Sequence, residues 1–524
     1  MRCKKVPRWR YWLLVLLCLA GVAIPYAPSY AAPSVAQDSV YTPFWLHQGR
    51  VSARGEELLR ALRESWRHGL NPASYDLAEM TARLKAEPQA AEAPALEALM
   101  TRAYIHLGQD LSGIRVNPAA LGTQKQYWKA PYTPEALLRR LAQAGDVFAL
   151  LESFAPQGQT YKRLQAELET LLSSDAPAYD SVLPLAIKGT LDPYEKAQAV
   201  PALRVRLGVP EKQGEDASLY DEALATAVIA FQRENGLKPD GIVGGQTLEI
   251  LNITRDHKIR QVLANLERLR WVYDEKPEKF VMVNIPSATL WGVENGQIAL
   301  EMPVIVGRKA RPTNMFVADI TGVRFHPNWT VPPTIKKDDI LPKLQADSAY
   351  LSEKGMALIK GSGAEAMQID PASVDWATIT AGELAQMRMV QIPGAHNPLG
   401  RVRILMPNVY NIYLHDTNQP EYFNRAGRAE SSGCVRLSAP EALAAFLMKA
   451  RADWSPAQME HWLLDGKTRD IGVPYRVPVY MLYHTMWVDR TGRLIYGNDL
   501  YGYDKILADL LKKIDGLPVF AKNE

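Results

Sequence analysis

The chain has 524 residues, of which 47% are hydrophobic and 22% charged, with 36 prolines and 34 glycines scattered through it. That length calls for two to four domains, and that composition excludes a disordered or low-complexity chain. The formal net charge is +3, from 60 basic and 57 acidic residues, and no basic stretch is interleaved with aromatics, so nucleic acid is not an expected partner.

Residues 1–31 read as an export signal. Arg2, Lys4, Lys5, Arg8 and Arg10 make a positive start, and residues 11–24 are apolar or small. Pro25 ends that run, and Ser29-Tyr30-Ala31 offers small residues where a signal peptidase cuts. The run is shorter than the ~20 residues of a stable span, so cleavage is expected, with an uncleaved anchor as the alternative. Leu17 before Cys18 is too large for a lipoprotein site. Without this segment the basic count is 60 − 5 = 55 against 57 acidic, a net −2.

The three cysteines are Cys3, Cys18 and Cys434. The first two leave with the signal. Cys434 then has no intramolecular partner in an oxidising compartment, which makes it a reactive thiol, an intermolecular link or a small apolar core residue.

After a polar tether at 32–42, residues 41–190 read as a helical scaffold domain. Leu58, Leu59, Leu62 and Trp66 mark one helical face, and Leu137, Leu138 and Leu141 another. Residues 197–255 form a compact unit of three short helices. Leu203 and Leu207 belong to the first, and Leu224, Val228 and Phe231 to the second. Thr247, near a cap position, Leu248 and Leu251 belong to the third. From Lys279 the period switches to two, and Asn295-Gly296 between apolar runs signals a hairpin. Residues 275–505 are expected to be a β-rich, sandwich-like domain, with a late strand pair around Asp489-Arg490-Thr491-Gly492. Within it, residues 334–392 read as a charged, helical insertion, a lid over a site. The fold class is therefore α+β multidomain.

Two segments carry chemistry. Tyr410-Asn411-Ile412-Tyr413-Leu414-His415 is a strand ending on histidine, and Ser431-Ser432-Gly433-Cys434-Val435-Arg436 follows it, with a His415-to-Cys434 spacing of 434 − 415 = 19 residues. A thiol is mostly neutral at neutral pH, and an adjacent imidazole can take its proton and later give it to a leaving amine. Gly433 lets backbone approach a substrate, and the Gly433 and Cys434 N–H groups could hold an oxyanion. Arg436 could neutralise a carboxylate or brace the loop. Tyr413 shares the strand face of His415. His396 is the rival base, Asp416 reads as a turn carboxylate, and His326 and His484 as structural. The sequence holds no Gly-x-Ser-x-Gly or His-Glu-x-x-His motif and no phosphate loop, and one cysteine among scattered histidines does not make a zinc site.

His415 with Ser431, Gly433, Cys434, Val435 and Arg436 resembles the motif of bacterial L,D-transpeptidases. Val306-Gly307-Arg308, Arg311-Pro312-Thr313, Trp329-Thr330-Val331-Pro332-Pro333 and Asn397-Pro398-Leu399-Gly400 extend the resemblance. Ser432 stands where that family has a second histidine, as in its larger, lidded periplasmic members. Residues 230–232, 235–237, 240–244 and 247–248 resemble a three-helix peptidoglycan-binding domain. The resemblance implies a periplasmic enzyme of cell-wall biogenesis and cell shape that needs no cofactor or metal. Cys434 would be acylated by a tetrapeptide stem, with Arg436, Tyr413 and Ser432 lining the substrate groove, and would pass the acyl group to a neighbouring stem as a 3→3 cross-link. It implies stem peptides and glycan strands as partners, other cell-wall synthesis proteins as possible ones, and carbapenems as acylating agents. Water as acceptor, making an L,D-carboxypeptidase or hydrolase, and a non-catalytic wall-binding scaffold are the alternatives.

Overall fold

The computed structural model describes residues 44–86, 91–173, 184–235, 237–273, 276–361, 363–425 and 427–516. The export signal, the tether, Cys3 and Cys18 lie outside them. No helix among the described residues is long and apolar enough to cross a membrane.

The first region is helical, as its 3.6-residue periodicity requires. Its longest helices are Ala53–Glu64, Ala93–Ser112 and Gln159–Ser173. Ser52 caps the first by accepting from the Gly55 N–H, and Thr133 does the same for Pro134–Gln143 through Ala136. Leu58, Leu59, Leu62, Leu137 and Leu141 are buried in one core, whereas Leu138 faces outward and Trp66 is only half-buried. Each falls a residue off the centre of its stripe.

The compact unit has the three helices expected of it, Val200–Leu207, Glu222–Glu234 and Gly245–Leu251. Thr247 lies inside the third helix, and Gly244 is its cap. The buried Gln232 side chain donates to Asp240 Oδ1, the Ile242 carbonyl and Thr247 Oγ1, and accepts from the Gly241 N–H. One amide therefore ties the glycine turn to two helices.

Helix Arg255–Arg270 joins the regions. Val262, Leu263 and Leu266 enter the scaffold core, and Ala264 enters the core of the sheet. It packs against the last helix, Tyr503–Asp515, an amphipathic segment not among the elements expected from the sequence.

The sheet has nine strands: β1 (Lys279–Asn284), β2 (Thr289–Glu294), β3 (Gln297–Gly307), β4 (Phe316–Phe325), β5 (Val402–Leu405), β6 (Leu414–His415), β7 (Ala429–Ser431), β8 (Val435–Leu437) and β9 (Arg469–Leu482). Their order is β7-β3-β8-β6-β5-β4-β9-β1-β2, and β2 also pairs with β3. The expected sandwich is thus a single sheet curled until it closes on itself. The hairpin at Asn295-Gly296 forms, both residues at positive φ. The late strand pair is shorter than expected: β9 ends at Leu482, and Met486–Val488 pairs with Leu494–Tyr496 as a separate hairpin. Met486 joins the scaffold core.

The insertion departs from the helical expectation. It holds short helices, among them Leu341–Ala346 and Ala381–Gln386, and a four-stranded sheet in the order Trp329–Thr330, Met387–Gln391, Met356–Lys360, Met367–Ile369. These strands are three to five residues long or shorter, too brief for a period-two signal to stand out from charged surroundings. They close over their own core, which includes Trp329, Ile340, Leu351, Leu358, Trp376 and Met389.

Candidate active site

Strands β6 and β8 run parallel, with Leu414 opposite Val435 and His415 opposite Arg436. The Val435 N–H donates to the Tyr413 carbonyl at 3.0 Å, which carries the ladder one step back beside Cys434. Leu414, Val435 and Leu437 point into the sheet core. Alternation then sends Tyr413, His415, Cys434 and Arg436 to the opposite face together. Arg403 joins them, because it pairs with His415 across β5 and β6. The insertion, expected as a lid, packs on this side: Tyr413 lies against its core as well as the sheet core.

The rings of Tyr413 and His415 meet edge to face at 5.5 Å, and the Arg403 guanidinium lies 4.0 Å over the Tyr413 ring. The Tyr413 hydroxyl interacts with the Cys434 thiol and with Trp329 of the lid, and burial raises its pKa. His415 is buried, and its Nδ1 has no hydrogen-bond partner among the described residues. Burial first, then the charge of Arg436, hold its pKa down at about 3, against the pull of the Asp416 and Pro398 backbone. Burial pushes the Cys434 thiol up, opposed by Tyr413, Arg403 and Arg436. Neutral thiol and neutral imidazole are therefore the resting forms.

The thiol does not donate to His415. Its hydrogen-bond acceptor is the Asn411 carbonyl, 3.9 Å away, and Asn411 sits at φ 53°, a conformation that asparagine tolerates better than most residues. Asn408 holds that loop by accepting from the Tyr410 and Ile412 N–H groups and donating to the Met406 and Ile412 carbonyls.

The loop before Cys434 is tied down tightly. Ser431 Oγ donates to the Cys434 carbonyl at 2.5 Å and accepts from the Gly433 N–H at 3.1 Å. Thr313 Oγ1 donates to the Gly433 carbonyl at 2.7 Å. Gly433 has φ 114°, and a Cβ there would lie 3.4 Å from the Pro312 carbonyl, so the position needs glycine on conformational grounds. The Gly433 N–H, expected as an oxyanion donor, is thus engaged within the turn. The Cys434 N–H has no acceptor among the described residues.

Ser432 Oγ accepts from Arg311 at 3.2 Å. Arg436 donates to Gln419 Oε1 at 3.2 Å, has no ion-pair partner among the described residues, and has its pKa lowered by burial. Asp416 is not the exposed carboxylate expected. Its oxygens accept from the Arg401 and Thr417 N–H groups, it fills the space where a Cβ of Gly400 would stand, and burial raises its pKa. His396 is exposed. His326 meets the Trp462 carbonyl through Nε2 at 3.1 Å, and His484 is held by burial at a pKa of about 3.

Arg403, the Asn411 carbonyl and Trp329 are site features that motif reading does not assign. A signal for Arg403 exists: it alternates with the apolar Val402 and Ile404, so it must face away from the core.

A folded thiol and imidazole on one lidded face of a closed sheet is the architecture, and comparison with known proteins places it. Residues 278–469 match the family model described as "L,D-transpeptidase catalytic domain", residues 205–251 the "Putative peptidoglycan binding domain" and residues 37–168 the "Scaffold domain". A Haemophilus influenzae protein named "Putative L,D-transpeptidase" is 35% identical over 267 residues, half of this chain and 53% of that protein. This chain thus spans about half the length of that relative. Over residues 278–469 the chain is thus similar to L,D-transpeptidase catalytic domains. Among solved structures, the L,D-transpeptidase from Xylanimonas cellulosilytica is 15% identical with a TM-score of 0.19, covering 57% of this chain and 99% of that one. The L,D-transpeptidase from Stackebrandtia nassauensis is 13% identical with a TM-score of 0.21, covering 57% and 97%. At those scores neither adds to the assignment.

Proposed function

We propose that this protein is a peptidoglycan L,D-transpeptidase working outside the cytoplasm, with Cys434 as nucleophile and His415 as general base. The observation that carries the reading is the β6–β8 pairing, which sends His415 and Cys434 to one lidded face inside the region that matches the catalytic-domain family.

The neutral imidazole of His415 is the form that can accept a proton. As substrate enters, the thiol leaves the Asn411 carbonyl and passes its proton to His415. The sulfur attacks the carbonyl of the third residue of a tetrapeptide stem. The Cys434 N–H, with its free hydrogen, takes the developing oxyanion. Collapse breaks the amide to the terminal D-Ala, whose nitrogen takes the proton from His415, and leaves a thioester on Cys434. A side-chain amine of a second stem then attacks, His415 takes its proton, and the thiol is restored with a new amide formed. One amide is exchanged for another through a thioester, so no external energy source is required. Arg436, half-buried without an ionic partner, is placed to bind a stem carboxylate. The three-helix unit is assigned to the glycan or stem peptide of the same polymer. Carbapenems are expected to acylate Cys434.

Incubating the purified protein with tetrapeptide muropeptides tests this. Dimers are the expected product. Tripeptides alone would identify water as the acceptor, and no conversion would leave a wall-binding role only.

A further inference from the structure

The segment 307–313 wraps the nucleophile loop on its open side. The Arg308 N–H donates to the Ser431 carbonyl at 3.0 Å, and Thr313 Oγ1 bridges the Gly307 N–H at 2.9 Å and the Gly433 carbonyl at 2.7 Å. A Cβ on Gly307 would fall 2.3 Å from the Arg311 carbonyl, so the wrap closes too tightly for any other residue. Thr313 is fixed in turn by Tyr501, whose hydroxyl accepts from the Thr313 N–H and donates to the Gly307 carbonyl.

Arg311 stands at the crest of this wrap and faces two ways. Its Nη1 donates to Ser432 Oγ, two residues before Cys434, and also to Asp339. Its Nη2 reaches Asp338 at 3.0 Å and the second oxygen of Asp339 at 3.2 Å. Both carboxylates belong to the lid, on a five-residue π-helical turn, Lys336–Ile340. Such turns are rare and concentrate at functional sites. This one is held from behind by Lys336, whose buried ammonium donates to the Leu384 carbonyl of helix Ala381–Gln386 and to the Met387 carbonyl of the lid sheet. Ile340 of the same turn is part of the lid core. The guanidinium is mostly sheltered, with 17% of its side chain exposed, while the carboxylates are 49% and 38% exposed.

We infer that Arg311 is a positioning residue that couples the seating of the lid to the geometry of the Ser432-Gly433-Cys434 loop. The inference rests on the proposed site at Cys434 and adds to it the residue through which the lid acts. A planar guanidinium can hold a carboxylate bidentately and still donate to a hydroxyl, whereas a lysine ammonium cannot span the same three partners. It also gives Ser432 a role: its hydroxyl is the loop's contact with Arg311.

The test uses the full-length chain and two readouts that need no peptidoglycan substrate, namely the alkylation rate of Cys434 by iodoacetamide and hydrogen exchange across residues 333–346. In D338N/D339N, whose changes lie on the lid surface, and in R311A, exchange in that segment should rise at least tenfold. Alkylation should change at least threefold in both. R311K should resemble R311A. The exchanged pair R311D/D339R should move both readouts back toward the wild type. Wild-type exchange and alkylation in D338N/D339N, or lid exchange that rises with no change in alkylation, would overturn the coupling. Should R311A not fold, D338N/D339N decides alone. A wild-type protein that alkylates normally but transfers no acyl group would remove the proposed activity and leave the coupling of Arg311 standing.

Discussion

The closed sheet and the lid above it are built on different terms. The sheet is held by a continuous apolar core to which Val281, Val304, Phe316, Val323, Ile404, Leu414, Val435 and Leu447 all contribute as buried side chains. The insertion above it has a small core of its own, and is tied to the Cys434 loop by Arg311 and to the sheet face through Tyr413. Ion pairs whose carboxylates are this exposed are each worth ~0–1 kcal/mol, whereas each large aliphatic side chain in the sheet contributes ~2–5 kcal/mol against truncation. The sheet can therefore keep its geometry without the support of the insertion's own core.

The strongest challenge to that division is chemical. Cys434→Ala should remove product below detection in the muropeptide assay while the melting temperature moves by only a few degrees; retained turnover would refute the nucleophile. His415→Gln should lower turnover by ~10²–10⁴-fold, the range for loss of a general base, and should leave binding of a non-reactive stem analogue, followed by calorimetry, within about threefold. The third contrast is energetic. Leu414→Ala should cost about 2–5 kcal/mol in urea unfolding of the whole catalytic region, but Leu351→Ala should raise hydrogen exchange only within the lid. A global loss from Leu351→Ala would show that the two regions unfold together.

A fourth expectation concerns pH. The folded-state pKa of His415 is about 3, below its ordinary 6.5, so the unfolded chain binds a proton that the folded one refuses. Stability from this group is complete above pH 6.5 and is lost as pH falls toward 3. Between pH 7 and 4.5 the wild type should lose about 2–3 kcal/mol more than His415→Gln in urea titrations; equal losses would contradict a buried neutral imidazole. The smallest effect is expected from Tyr413→Phe. It removes a hydroxyl shared by Cys434 and Trp329, and should change the rate of Cys434 alkylation by about two- to tenfold, the scale of one hydrogen bond.

Much of this site is legible in the sequence because its parts are short-range. A strand that ends on His415 and a glycine-cysteine turn 19 residues later need only one parallel pairing to reach the same face. Other features depend on partners far along the chain. Asp416 looks like a turn carboxylate until the Gly400-Arg401 backbone closes on it. The Gly433 N–H looks free until Ser431 Oγ is seen to take it. Arg311 stands in a stretch that extends the family resemblance, but nothing local signals that Asp338 and Asp339 lie opposite. The lid sheet is illegible for another reason. Its strands borrow Trp329–Thr330 from outside the insertion, so the alternation is divided between distant segments.

The scaffold loop that follows helix Ala93–Ser112 bears on how this protein can be cut and reassembled. Thr123 Oγ1 donates to the Met315 carbonyl, Asn314 donates to the Gly122 carbonyl, and Tyr127 stacks its ring near Phe316 and Tyr410. Ile114, Val116, Leu121 and Trp128 are buried members of the sheet's own core. A gene fragment starting at the sheet would therefore strip four core side chains and the support of Tyr410, one residue from the carbonyl that holds the thiol. The catalytic region is not a portable cassette: recombination that separates it from its first domain would break a single folding unit.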